Sequence, residues 1–129
     1  MRFAELEQIA SQIVAASQKR LPDDVRTVAG KVPVCFEPHP GAAVQEAGRE
    51  PDILGLFVGN AHDEEPEDSA PLPPQILLFL DNLWDYAEGD LATYRDEVRL
   101  TYLHELGHIS RVFVSVNLDA SIVMHLSSC

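Results

Sequence analysis

LATYRDEVRLTYLHELGHI, residues 91–109, carries apolar side chains at Leu91, Tyr94, Val98, Tyr102, Leu106 and Ile109. Those intervals return each residue to one side of a helix, and Arg95, Asp96, Glu97 and Arg99 fill the gaps. The spacing predicts the longest helix of the chain, with Asp90 placed to cap its first turn. Near its end stands His104-Glu105-Leu106-Gly107-His108, an H-E-x-x-H pattern.

The pattern has a mechanical basis. Residues four apart are separated by roughly 40° around a helix, so His104 and His108 project from one side. Two imidazole nitrogens so placed can reach one Zn2+ at about 2.0 to 2.1 Å. Glu105 lies about 100° away from His104, poorly placed as a third ligand but suited to approach a water on the metal. Zinc can lower the pKa of such a water to about 7, and a carboxylate beside it can act as general base and then as proton donor to a leaving amine. Amide hydrolysis is the reaction this arrangement suits. The plainer alternative is a helix whose histidines only form hydrogen bonds. Gly107 leans toward function, because glycine costs about 1 kcal/mol in a helix interior and often marks close packing.

Upstream, three short apolar runs read as strands. Lys31–Phe36 is rich in strand formers, with Pro33 arguing for an edge or a bulge. Ile53–Val58 follows a loop from His39 to Asp52 that contains Pro40, Gly41, Gly48 and Pro51. Gln75–Leu80 suits a buried third strand, and Asp81–Tyr86 a short helical turn before Gly89. At the start, Phe3, Leu6, Ile9, Ala10, Ile13 and Val14 repeat at helical spacing, ending near Lys19–Leu21 before Pro22. An acidic, proline-rich loop spans about 60–74. The tail, 110–129, changes character: Val112–Val116 and Ile122–Val123 look strand-like.

A length of 129 residues fits one domain covering 1–129, and 46% hydrophobic against 23% charged residues is an ordinary globular balance. A net charge of -12 repels nucleic acid and anionic membrane surfaces, so neither is an expected partner. The first residues interleave Glu5 and Glu7 with apolar positions, unlike a secretory leader, and no run reaches membrane-spanning length. Cys35 and Cys129 are then expected as reduced thiols in a cytoplasmic setting, Cys35 as a small buried hydrophobe with a reactive thiol as the alternative. His39, His62 and His125 lack ligand spacing, and Trp84 and Tyr86 are expected to pack.

The order of elements and several strings resemble the bacterial minimal zincin family of zinc metallopeptidases, over roughly Phe3 to His108. The resemblance rests on Leu21-Pro22-Asp23-Asp24, Ile53-Leu54-Gly55-Leu56-Phe57, Ile76-Leu77-Leu78-Phe79-Leu80, and Glu97-Val98-Arg99 leading into the H-E-x-x-H string. It implies an α+β, minimal zincin-like fold, with a small mixed β-sheet packed against an N-terminal helix and the H-E-x-x-H helix. Zn2+ is then held by His104 and His108, Glu105 is the general base, and the substrate is a peptide or protein. Family members extend the motif to H-E-x-x-H-x-x-G-x-x-D, whose Asp is the third ligand. Here Arg111 and Val114 occupy those last two positions, and neither binds the ion. Asp119, the nearest downstream carboxylate, completes the site if the tail folds back, and His125 is the nearest imidazole that could do so instead. With two ligands secure, a silent zinc-binding or protein-interaction module of the same fold stands beside the peptidase reading.

Overall fold

The computed structural model describes residues 1–46, 48–58 and 74–117, from Ile109 onward by backbone alone. Helix α1 spans Phe3–Lys19, α2 Asp23–Ala29, and strand β1 Val34–Glu37. Helix α3 follows at Ala42–Glu46, then β2 at Gly55–Val58, β3 at Gln75–Phe79, α4 at Leu80–Tyr86 and α5 at Leu91–Asn117.

The sheet is mixed, in order β1-β3-β2. β3 is central because its sequence, QILLF, has nothing to disrupt a ladder on either side. β1 runs parallel to it, with Cys35 opposite Leu77, and β2 runs antiparallel, with Leu56 opposite Leu77. Pro33 sits just before β1, at an edge, where its missing N–H costs no ladder bond.

The core forms where α1 and α5 meet. Leu6, Ala10, Ile13 and Val14 face Tyr94, Val98 and Tyr102, all buried, and Ile76 and Leu78 close the cluster from the sheet. Polar groups in this seam are satisfied. The Tyr94 hydroxyl donates to the Leu6 carbonyl at 2.9 Å, and the Gln18 amide donates to the Tyr102 hydroxyl at 2.9 Å. Burial pushes both phenols upward in pKa, and for Tyr102 the bond from Gln18 partly opposes that shift. Trp84 stands edge-to-face on Tyr94, with ring centroids 5.6 Å apart. It packs as expected, whereas Tyr86 is 62% exposed and does not.

Two short helices depart from the sequence expectation. The segment after Pro22 forms α2, because proline's fixed φ suits a helix entry and Asp23 and Asp24 suit its first turn. Val25 and Ala29 bury its inner side. Within the expected loop 39–52, Gly41 accepts from the Val44 and Gln45 amides to start α3.

The tail is also corrected. Val112–Val116 is helical, as α5 runs unbroken to Asn117. No proline or glycine lies between His108 and Asn117, and extending a helix already formed costs far less than starting one. Ile122–Val123, most of the acidic loop at 60–74, and Cys129 lie outside the described residues. Among the described residues no helix is long and apolar enough to cross a membrane.

Candidate metal centre

Helix α5 begins where sequence chemistry places it. The Asp90 carboxylate accepts from the Thr93 amide at 2.9 Å and from the Thr93 hydroxyl at 2.6 Å. Those bonds, the hydroxyl's first, hold its pKa below the usual 3.8. With the start fixed, Tyr94, Val98, Tyr102 and Leu106 face the core, and this sets the rotation of every other residue on the helix.

That rotation sets His108 against Phe57 of β2, with His104 and Glu105 beside it on the helix. The facing strand is held unusually close. A Cβ built on Gly55 would lie 2.6 Å from the Thr101 Cγ2 methyl and 3.2 Å from both the Leu77 carbonyl oxygen and Leu78 Cδ2. Only a residue without a side chain admits Thr101 at this distance. Two residues on, the Phe57 ring lies parallel to His108, with an interplanar angle of 5° and centroids 6.0 Å apart.

The two imidazoles stand with centroids 6.1 Å apart and planes at 67°. Between them Glu105 is 2% exposed, and its Oε1 lies 3.9 Å from His108 Nε2. One donor atom from each of His104, Glu105 and His108 can be chosen so that all three lie within 4.8 Å of one another. Imidazole nitrogens are donors that zinc takes, and two sharing one ion at the usual bond lengths stand at most about 4.2 Å apart, so small side-chain rotations would bring His104 and His108 onto it with the Glu105 carboxylate beside it. The residues fit the metal.

A family model for zincin-like metallopeptidases matches residues 29–112, the stretch from the end of α2 through the H-E-x-x-H helix. The chain belongs to the zincin-like metallopeptidase family. In the comparison with curated proteins, none matched. The match takes in all three strands and the His104-Glu105-His108 cluster.

The aspartate that the resemblance implies as third ligand has no counterpart at its position, which holds Val114. Position 111, glycine in the extended motif, is arginine, and α5 continues through it. On a continuous helix, position 114 lies about 9 Å farther along the axis than His108, out of reach of an ion held there. Asp119 and His125 lie outside the described residues. His39 is exposed and, among the described residues, is not part of the cluster, and His62 lies outside the described residues. Cys35 is half-buried in β1, and its thiol donates to Gln75 Oε1 at 3.4 Å.

Sequence reading did not single out Gly55 or Phe57. A glycine inside an apolar strand does signal close backbone approach, so Gly55 was findable. Nothing in the order of residues ties Phe57 to a histidine 51 positions later; that pairing depends on how α5 crosses the sheet.

Proposed function

We propose that the chain is a zinc-dependent peptidase in which His104 and His108 hold the ion and Glu105 is the general base. The observation that carries this reading is the gathering of His104, Glu105 and His108 donors within 4.8 Å of one another on a helix of the zincin-like family. When bound, zinc supplies Lewis acidity at that position, to water and to a substrate carbonyl alike. Glu105 takes a proton from the attacking water at a carboxylate oxygen and later gives it to the nitrogen of the leaving amine. Its 2% exposure keeps bulk water from competing for that oxygen. Phe57 lies flat along His108 and limits its ring rotation, leaving the in-plane nitrogens directed past the stack.

An extended peptide has a place to lie. Among the described residues β2 is an edge strand, paired only with β3, and its Phe57 ring lies beside His108. Its open edge can add a peptide strand through main-chain hydrogen bonds.

One observation favours a second reading, a metal-binding module without catalysis. The glycine and aspartate of the extended motif are replaced by Arg111 and Val114, and a catalytic zinc needs three protein ligands and an open position. Zinc content and cleavage of a mixed peptide library separate the two. The peptidase reading expects stoichiometric zinc, its loss in His104→Ala, and a fall in kcat of about 10²- to 10⁴-fold in Glu105→Gln with zinc retained. Stoichiometric zinc with cleavage absent from the wild type selects the silent module; no zinc at neutral pH removes both.

A further inference from the structure

Acidic residues outnumber basic ones 21 to 9, yet three of the chain's arginines line a single recess. It lies between the C-terminal half of α1 and the N-terminal third of α5, with a volume of about 170 Å3. Ile13 and Ser17 of α1 form part of its wall, Arg20 stands at the C-cap of α1, and Arg95, Asp96 and Arg99 come from α5. The recess is separate from the metal centre. His104 follows Arg95 by nine residues and His108 follows Arg99 by nine, which places each pair about 180° apart around the helix.

Among the described residues none of the three guanidiniums is in an ion pair or a side-chain hydrogen bond, although 21 acidic residues are available in the chain. Asp96 shares the recess but is not within ion-pair distance of any of them. Arg20 alone has a local reason for its position, at the C-cap of α1 where a cation suits the helix end. Arg95 and Arg99 have none, since like charges four apart on a helix repel. Their stems can cover apolar surface, but that would be served equally with the heads paired to acids.

We propose that this recess binds a small ligand carrying a phosphate group. Guanidinium forks match phosphate oxygens in pairs, and a tetrahedral group offers oxygens in several directions to arginines arriving from two helices. A planar carboxylate satisfies one fork and leaves the others facing bare charge. The volume equals that of about six waters, room for a phosphate with a modest organic attachment. Binding would tie α1 to α5 across the recess.

Direct calorimetric titration of the full chain tests this, because phosphate also stabilises proteins generally through exclusion from their surfaces. The probes are inorganic phosphate and pyrophosphate, with succinate as the carboxylate control. The expected result is saturable binding of both phosphates with Kd below about 1 mM at low salt. Arg95→Ala combined with Arg99→Ala should weaken it at least about tenfold, while Arg49→Ala, an exposed arginine outside the recess, leaves it unchanged. Since all these arginines are exposed, melting curves of the variants should match the wild type in phosphate-free buffer. No saturable binding, equal weakening in Arg49→Ala, or succinate binding as tightly as phosphate overturns the proposal.

Discussion

At the scale of single residues, the position of the H-E-x-x-H helix is set by a missing side chain. Gly55 lets the Thr101 methyl approach to 2.6 Å from where a Cβ would stand, and that contact brings Phe57 alongside His108. Gly55→Ala must push β2 and α5 apart. Overpacking of this kind costs about 1 to 3 kcal/mol, to be read from urea denaturation. Adding Thr101→Ser, which deletes only the offending methyl, should restore part of the loss but not all, because Leu77 and Leu78 still crowd the new carbon. Additive losses in the double variant would show that the close approach is not what the glycine serves. The same displacement should weaken zinc retention in Gly55→Ala while His104, Glu105 and His108 are intact.

Among elements, the α1–α5 seam supports the metal helix. Tyr94 clamps the two through its bond to the Leu6 carbonyl, and its burial raises its pKa. A folded-state pKa above the unfolded value of about 10 means that this contribution is complete below pH 10 and declines as pH rises beyond it. Tyr102, shifted the same way, acts in the same direction. Tyr94→Phe should therefore cost about 0.5 to 1.5 kcal/mol at pH 7 and show a shallower loss of stability between pH 10 and 12, measured by chemical denaturation across that range. An unchanged alkaline slope would place the titrating group elsewhere.

The same scale shows what the chain's order of residues reveals. The α1 and α5 helices were legible because their periodicities are strong, and the three strands because each is a short apolar run bounded by turn residues. Helix α2 was not, because Pro22 stops α1 and starts α2 at once, and a reading of proline as a terminator sees only the first. In the tail, runs of valine suggested strand, but a helix already launched from Leu91 overrides a per-residue preference worth only tenths of a kcal/mol. The H-E-x-x-H pair was legible since helical geometry alone brings His104 and His108 together. The setting of that pair against β2 was not, because it depends on contacts between residues far apart in sequence.

At the scale of the whole molecule, metal and fold should be coupled. The donors sit between the sheet and α5, so an ion that binds them favours the folded chain over the unfolded one. Zinc at 100 times its Kd should add about 2.7 kcal/mol of stability, raising Tm in the wild type but not in His104→Ala, and a chelator should reverse the gain. A Tm equally raised by zinc in both proteins would assign the effect to adventitious binding.

The most direct measurement is an anomalous-scattering map, recorded at the zinc edge from crystals of the zinc-supplemented full chain. The account predicts one strong peak, with a ring nitrogen of His104 and one of His108 each about 2.0 to 2.1 Å away and the Glu105 carboxylate beside it. Electron density with the two imidazoles turned apart, and the zinc peak absent or located on other residues, would contradict it.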